Sequence, residues 1–204
     1  MKKYVLGITG ASGSILGIRV AQELLKTAEL HITISSQAFS IIKDEVGLDL
    51  KAKTERETEK RLRKHFSTDR LFYWAEGNME SPIASGSFRT DGMLVVPCSM
   101  KTLSGIANGY ANTLIERTAD VTIKEGRTLL LCPREMPLSC IHLENMLKLA
   151  RIGVRIAPPV MGFYHNPESL GEMVDFIAGK ILDAIGINHN LFKRWEGYKP
   201  QKKT

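Results

Sequence analysis

The residues best suited to chemistry in this sequence lie in short polar loops that directly follow apolar runs. The first loop, residues 7–14, reads GITGASGS and stands between an apolar run and an amphipathic stretch from Ile15 to Leu25. Backbone N–H groups at the start of a helix, together with the hydroxyls of Thr9, Ser12 and Ser14, can bind a phosphate. The glycine spacing differs from the G-x-G-x-x-G of dinucleotide-binding loops, so a plain strand-to-helix turn stays open as the alternative.

Two further loops of this kind carry a positive charge. One holds Ser99, Lys101 and Thr102 directly after a buried apolar run, where they form either ordinary helix caps or an anion site. The other places Arg134 and Glu135 between two prolines, which restrict the backbone and hold both side chains at a strand end. Both loops favour an anionic ligand at one edge of a sheet.

Of four other polar residues, three allow two interpretations each, and one has a single interpretation. Ser35 follows a second apolar run and either caps the next helix or contacts a ligand. Glu45 is interpreted, from the residues alone, as a surface carboxylate. Arg117 and Lys124 share one face of a predicted helix with apolar residues, so they either extend to the surface or meet an anionic ligand.

Hydrophobic periodicity predicts the elements that would position these loops. Apolar runs without polar alternation are typical of strands buried in a parallel sheet. We expect a single α/β domain, with a doubly wound and mainly parallel sheet of about five strands and helices on both faces. The amphipathic stripes place Ile15 of the first helix and Leu170 of the last helix toward the core. The predicted strands are 4–8, 30–35, 92–97, 128–132 and 154–156, and the predicted helices are 14–26, 36–46, 113–125, 139–151 and a last one starting at Asn166.

The composition argues against several classes of protein. The 204 residues carry a formal net charge of +6, which suits anionic ligands, but they show no zinc-finger spacing and no basic stripe with aromatic residues, so we expect no nucleic acid partner. No apolar run approaches the about 18 residues of a membrane span, and the cysteines form no C-x-x-C pair, as expected of a reduced cytoplasmic protein. The charged residues 51–64 are interpreted as a solvated helix face or a mobile excursion. His165 is interpreted as a hydrogen-bonded structural histidine, and Cys98 as a packing residue rather than a nucleophile.

Several motifs, in order along the chain, are similar to those of one known family. On these motifs the chain resembles the UbiX-type flavin prenyltransferases, within the wider homo-oligomeric flavin-containing cysteine decarboxylase-like fold. The resemblance implies a Rossmann-like flavoprotein domain over residues 1–188 and a C-terminal tail over 189–204. The matching stretches are Gly7-Ile8-Thr9-Gly10-Ala11-Ser12-Gly13, Ser85-Gly86-Ser87-Phe88, Pro97-Cys98-Ser99-Met100-Lys101-Thr102-Leu103, Leu114-Ile115-Glu116-Arg117, Pro133-Arg134-Glu135, His142-Leu143-Glu144-Asn145-Met146 and Gly162-Phe163-Tyr164-His165.

The resemblance implies an enzyme that joins a dimethylallyl group, supplied as dimethylallyl monophosphate, to atoms N5 and C6 of reduced FMN. The product, prenylated FMN, would serve a partner UbiD-type decarboxylase, in ubiquinone biosynthesis or in another pathway. Members of the family form homo-oligomers, commonly dodecamers, with the site at subunit interfaces. The residues implied to contact FMN are Gly10, Ala11, Ser12, Ser35, Ser99, Met100, Lys101, Thr102, Arg117 and Arg134.

The same resemblance assigns the prenyl donor and the proton transfers to a second set of residues. Cations and a hydroxyl would stabilise the departing phosphate, and an aromatic ring would face the allylic cation. The proton released at ring closure would go to the phosphate itself or to a carboxylate. Because the donor is a monophosphate and the chain has no Asp-rich motif, we expect a metal-independent reaction. The donor would be held by Ser85, Lys124, Arg134, Tyr164, Lys180 and Trp195, and the catalytic residues would be Glu45, Glu135 and Lys124.

Three alternatives to a prenyltransferase start from parts of the same sequence. An FMN-dependent decarboxylase of the same fold is the nearest, but relatives that decarboxylate a cysteine carry Pro-Ala-Ser-Ala-Asn-Thr where residues 97–102 of this chain contain no asparagine. A short-chain dehydrogenase needs Tyr-x-x-x-Lys on a helix, and the only instance, Tyr198 to Lys202, is interrupted by Pro200. A non-enzymatic flavin carrier would not need Tyr164 and Lys180 around a second anion.

Overall fold

Six parallel strands form the centre of the molecule. The computed structural model describes residues 1–195 and 197 of the chain. The strands are β1 (Lys2–Ile8), β2 (Ala28–Ile34), β3 (Leu71–Tyr73), β4 (Gly92–Cys98), β5 (Thr128–Pro133) and β6 (Arg155–Ile156). They lie in the order β3-β2-β1-β4-β5-β6, and every neighbouring pair is parallel.

The described residues include seven α-helices, which cover both faces of the sheet. The helices are α1 (Ser14–Thr27), α2 (Ser36–Val46), α3 (Glu55–Phe66), α4 (Met100–Ala107), α5 (Leu114–Lys124), α6 (Cys140–Arg151) and α7 (Leu170–Asp183). Helices α1, α2 and α7 bury their apolar sides on one face, and α4, α5 and α6 on the other. The predicted doubly wound α/β class is therefore confirmed. None of the described helices is both long and apolar enough to cross a membrane.

Alternate residues of the central strands supply the two apolar cores. Leu6 and Ile8 of β1 belong to the core under α1, whereas Val5 belongs to the core under α5. Side chains of a strand point alternately to opposite faces, and here both faces are covered by helices. This double burial explains why the strands read as continuous apolar runs.

The strand order reverses between β1 and β4. The chain passes from β1 to β2 and β3 on one side, and it returns to β4 on the other side of β1. In open α/β sheets, ligands bind beyond the carboxyl ends of the strands at such a reversal. The loops after β1 and β4, at residues 9–13 and at Ser99, flank this point. The fold thus brings together two of the polar loops singled out in the sequence.

Strand β3 and the charged helix α3 form an edge that the sequence did not predict. The Glu59 carboxylate accepts a hydrogen bond from the Tyr73 N–H at 2.9 Å, and the Glu55 carboxylate accepts one from the Ala75 N–H at 2.6 Å. These bonds satisfy backbone groups on the open side of the sheet, where another chain could otherwise pair. These carboxylates of the charged stretch therefore have a structural role. Strand β3 has only three residues, too few to show the alternation by which a strand is recognised in a sequence.

The last helix begins three residues later than predicted. Its N-cap is Ser169, whose side chain accepts from the Glu172 N–H, whereas Asn166 has a φ of 50°, outside the extended range of an N-cap. The predicted inward positions of Leu170 and Ile15 are also wrong, because these side chains are 77% and 37% exposed. Both residues lie in the first turn of their helices.

Candidate active site

The loops after β1 and β4 are joined by one threonine. The Thr9 hydroxyl donates to the Pro97 carbonyl at 2.9 Å and accepts from the Ser99 N–H at 2.7 Å. Thr9 is 1% exposed, so these bonds lie in the protein interior. They fix the two loops against each other and hold the edge of the crevice in one geometry.

We use the term rim for residues 9–14, Ser35, residues 99–102 and Arg134, which follow β1, β2, β4 and β5. Ser35 caps α2 by accepting from the Ala38 N–H at 3.3 Å, and Ser99 caps α4 by accepting from the Thr102 N–H at 3.3 Å. The Ser99 hydroxyl also donates to the Thr102 hydroxyl at 3.1 Å.

Capping and ligand binding are compatible at the rim. A capping serine uses an oxygen lone pair and keeps its proton. Between described residues, neither the Ser35 nor the Thr102 hydroxyl donates a hydrogen bond. These two hydroxyl protons therefore remain available for a ligand, and both interpretations made from the sequence can hold at once.

The charged side chains of the rim are exposed. Lys101 and Arg134 form no side-chain hydrogen bond or ion pair with any other described residue, and the Arg134 backbone is held by its N–H bond to the Cys98 carbonyl at 3.2 Å. Glu135 accepts from the Met136 N–H at 3.0 Å and does not pair with Arg134. Gly10 and Ala11 lie in the loop after β1, and Met100 is the first residue of α4. The rim thus offers hydroxyls and two cations, a donor set suited to a phosphate.

The side-chain carboxylate of Glu45, a residue of α2, lies at the N-terminus of α1. Its carboxylate accepts hydrogen bonds from the Gly13 N–H at 3.0 Å, the Ser14 N–H at 3.0 Å and the Ser14 hydroxyl at 2.8 Å, and the Ser12 side chain bonds to it as well. Gly13 supplies no side-chain cap, so this carboxylate from α2 takes that role. The Gly13 and Ser14 amides, which stand at the start of the helix that the sequence offered to a phosphate, therefore already donate to a carboxylate of the protein.

The environment of Glu45 favours its ionised form. Burial alone would raise the pKa of the carboxyl group, but the hydrogen bonds from Ser12, Ser14 and Gly13 outweigh burial and hold that pKa below its ordinary value. The positive end of the α1 dipole acts in the same direction. Glu45 is exposed, and its carboxyl group is ionised at neutral pH.

Replacing Glu45 by glutamine is expected to lower the melting temperature at neutral pH and to have little effect in acid. Because the folded-state pKa is depressed, the stabilisation is complete above the unfolded pKa of about 4.3 and is lost as pH falls through the folded-state value. The difference in melting temperature between wild type and Glu45→Gln should therefore narrow between about pH 7 and about pH 3. An Asp44→Asn control should show no such narrowing, and a difference that stays constant with pH would contradict the assignment.

A second group of predicted site residues lies on α5, apart from the rim. The Arg117 side chain donates to the Ala84 carbonyl at 3.1 Å and to the Asp120 carboxylate at 2.9 Å, and Ala84 directly precedes Ser85. Lys124 forms an ion pair with Glu125. Within residues 1–195, no hydrogen bond or ion pair joins this group to the rim. Arg117 therefore holds the backbone at Ala84, directly before Ser85.

A third group surrounds a cavity of about 450 Å³ beside α7. Tyr164 and Lys180 lie on its wall, and the rest of the lining is aliphatic or aromatic apart from backbone. Lys180 is exposed and forms no ion pair between described residues. Trp195 lies edge-to-face on Tyr164, with ring centroids 6.1 Å apart. The cavity combines an apolar volume with one ammonium group and one phenol.

His165 and the two buried cysteines, Cys98 and Cys132, are packed inside the fold. The predicted hydrogen bonds of His165 are absent, since both ring nitrogens are buried without a hydrogen-bond partner in the described part of the chain. Its ring stacks on Phe176 at 4.5 Å instead. Burial raises the pKa of the Cys98 and Cys132 thiols, so neither is a nucleophile. The sequence reasoning missed Phe176, whose only signal was an aromatic residue within the otherwise aliphatic stripe of α7.

The chain matches known flavoproteins over nearly its whole length. Residues 1–182 match the Flavoprotein family. The flavin prenyltransferase UbiX of Methanocaldococcus jannaschii is 45% identical over 193 residues, which cover 95% of this chain and 98% of that protein. Among described residues no group of three or more His, Cys, Asp or Glu side chains could hold a metal ion.

Two solved structures share this fold at high coverage. The dodecameric FMN-dependent UbiX-like decarboxylase from Escherichia coli O157:H7 superposes with a TM-score of 0.83 at 43% identity, covering 96% of this chain and 100% of that one. AnUbiX (PadA1), solved in complex with FMN and dimethylallyl pyrophosphate, superposes with a TM-score of 0.85 at 40% identity, covering 97% and 99%.

Proposed function

The chain belongs to the flavoprotein family and, within it, to the UbiX-type flavin prenyltransferases, and we propose that it transfers a dimethylallyl group from dimethylallyl monophosphate to N5 and C6 of reduced FMN. The observation that carries this proposal is the apolar cavity that ends in Tyr164 and Lys180. An apolar volume with one cation and one phenol suits a five-carbon chain that bears a phosphate. The complex of AnUbiX with FMN and dimethylallyl pyrophosphate supports FMN and a phosphate ester of the dimethylallyl group as the two ligands.

We assign FMN to the rim. The hydroxyls of Ser35 and Thr102 have protons to donate, and the Arg134 guanidinium and the Lys101 ammonium can neutralise a phosphate. The backbone at Gly10 fits a close approach, since a Cβ there would already meet the Gln37 side chain at 3.0 Å. When bound in its reduced form, FMN supplies the nucleophilic ring atoms. Every other part of the reaction falls to side chains of the protein.

We assign the departing phosphate to Lys180, Tyr164 and Arg134. Cleavage of an allylic C–O bond leaves positive charge on carbon and negative charge on the leaving group, and preorganised cations lower the energy of that charge separation. The Tyr164 hydroxyl donates to the phosphate, and the Trp195 ring, which lies edge-to-face on Tyr164, stabilises the allylic cation. The same charges make a bound metal ion unnecessary for a monophosphate donor.

Two carboxylates are candidates for the proton transfers of ring closure, which would add one proton to the prenyl double bond and remove one from flavin C6. Glu45 is held ionised by the α1 N-terminus and can accept a proton, and Glu135 lies beside Arg134 at the rim. Lys124, with Ser85 and Arg117, completes the proposed set from the α5 group. Since no hydrogen bond or ion pair joins that group to the rim within residues 1–195, we propose that neighbouring subunits bring the two together.

The proposed assembly is a homododecamer, like that of the Escherichia coli relative. Helix α6 exposes three large apolar side chains, and the loop before α7 exposes Phe163 to 66%. Exposed large apolar side chains in this number are typical of surfaces that contact another protein. The α6 side chains are Ile141, Leu143 and Leu147. We further propose that the protein works in the cytoplasm and that its product, prenylated FMN, passes to a UbiD-type decarboxylase.

An anaerobic product assay tests the reaction and its metal independence together. Purified protein with reduced FMN and dimethylallyl monophosphate should yield a flavin heavier by one C5 unit, and EDTA should leave the rate unchanged. Unaltered flavin after incubation contradicts the transferase, and a rate that EDTA abolishes and Mg²⁺ restores contradicts the metal-independent mechanism. Dimethylallyl diphosphate in a parallel reaction serves as the comparison donor.

A further inference from the structure

The last described residues of the chain are fixed to α7 by a small polar cluster. The Asp183 carboxylate accepts from the His189 ring at 3.1 Å and from the Arg194 guanidinium. The second ring nitrogen of His189 accepts from the Leu191 N–H at 3.1 Å. The His189 side chain is only 1% exposed, so its bond to Asp183 lies in the protein interior. One carboxylate thus holds the tail at two points.

Aromatic packing continues this fixation into the donor cavity. Phe192 lies on α7 so closely that a Cβ on Gly179 would collide with both its ring and that of His189. Phe192 also contacts Phe176, with ring centroids 5.1 Å apart. Phe176 in turn lies edge-to-face on Tyr164 at 5.5 Å. Phe176 and Tyr164 line the cavity together with Lys180, so this chain of aromatic contacts reaches the proposed donor site.

We infer that Asp183 is a positioning residue for the prenyl donor: it fixes His189 and Arg194, and the fixed tail holds Trp195 against Tyr164 beside the cavity. This inference rests on the proposed function. Tyr164 and Trp195 meet edge-to-face at 6.1 Å and are both about half exposed, so their mutual placement depends on what holds each of them. Tyr164 is held by Phe176, and Trp195 follows Arg194 directly in the chain.

The charge of Asp183 matches this role. Burial alone would raise the pKa of the Asp183 carboxyl, but the hydrogen bond and the charge of Arg194, together with the hydrogen bond from His189, outweigh burial and lower it. The carboxylate is therefore ionised at neutral pH. A preset aromatic wall needs no ordering when the donor binds, which favours tighter binding.

Tryptophan fluorescence and donor binding test the inference on the FMN-loaded protein. The chain has two tryptophans, so a Trp74→Phe background leaves Trp195 as the only emitter. In that background Asp183→Ala should shift the Trp195 emission to the red and increase its quenching by acrylamide. Calorimetric titration of dimethylallyl monophosphate into protein that holds oxidised FMN should give a Kd about tenfold weaker, the value of one lost aromatic contact.

Asp175→Ala is the matched control. Asp175 lies on the same helix and also pairs with an arginine, Arg19, and none of its hydrogen bonds or ion pairs reaches the described residues of the tail. It should leave the Trp195 emission and the donor Kd unchanged. Arg194→Gln breaks the same cluster from its exposed side, so it gives the Asp183→Ala phenotype even where the alanine variant folds poorly.

The outcomes separate the two proposals. An unchanged Trp195 signal in both tail variants overturns the inference, and so does a changed signal with an unaltered donor Kd. Neither readout depends on turnover, because oxidised FMN is not the prenyl acceptor. A wild-type protein that binds the donor but never adds a C5 unit to reduced FMN contradicts the proposed function and leaves the fluorescence and Kd results to decide the role of Asp183.

Discussion

A Gly17→Ala variant is expected to lose roughly 3 kcal/mol of unfolding free energy, because α1 crosses β4 at this glycine with no room for a methyl group. A Cβ on Gly17 would lie well inside 3.0 Å of the Val96 carbonyl oxygen and would also press on the Ile8 side chain. Alanine by itself favours a helix over glycine by about 1 kcal/mol. The collision involves backbone, which cannot rotate away, so we expect it to outweigh the gain in helix propensity.

Urea unfolding followed by circular dichroism measures this loss, at one protein concentration because the protein is proposed to be oligomeric. Gly171→Ala is the control within α7. A Cβ there would meet only the Ser169 hydroxyl, at 3.7 Å, an ordinary contact. The Gly171→Ala variant should leave the free energy of unfolding unchanged or increase it by up to about 1 kcal/mol. A Gly17→Ala variant as stable as Gly171→Ala would contradict the close approach of α1 to β4.

Strands that are buried on both faces leave a clear pattern in the sequence, whereas a short edge strand and the start of a helix do not. Continuous apolar runs predicted five of the strands, because burial on both faces leaves no polar positions in them. Strand β3 escaped detection because Leu71–Tyr73 is too short for any periodicity. The pair Asn166-Pro167 predicts a helix start, but asparagine followed by proline is also typical of a loop. Here the pair lies in a loop, and the backbone of Asn166 has the left-handed conformation.

Within the site, local roles were predictable and long-range roles were not. Ser35 and Ser99 follow strands and precede helices, so their capping follows from position alone. The bond of Glu45 to Gly13 joins residues 32 positions apart and follows only from the packing of α2 against the loop after β1. The family resemblance assigned a function to Glu45. Its hydrogen bonds to the start of α1 could not be predicted from the sequence, because they depend on how the folded chain packs.

Glu45→Gln is expected to lower kcat at neutral pH by about 100-fold or more, the usual contribution of a positioned acid or base. The carboxylate is ionised at that pH, so it can accept the proton released at ring closure and stabilise positive charge on the allyl group. Glutamine keeps the length of the side chain but can do neither. The measurement is the anaerobic rate of C5 addition to reduced FMN under saturating donor.

Two controls separate a proton acceptor from a helix cap. Asp44→Asn removes the neighbouring exposed carboxylate and should leave kcat unchanged, and Glu135→Gln tests the second candidate acceptor. If Glu45 only stabilised α1, its glutamine variant would recover normal turnover at a lower temperature, where the loss of stability no longer matters. If Glu45 accepts the proton, kcat stays low at every temperature at which the variant is folded. A larger loss in Glu135→Gln than in Glu45→Gln would assign the proton to Glu135 and leave Glu45 with the structural role that its bonds to Gly13 and Ser14 already establish.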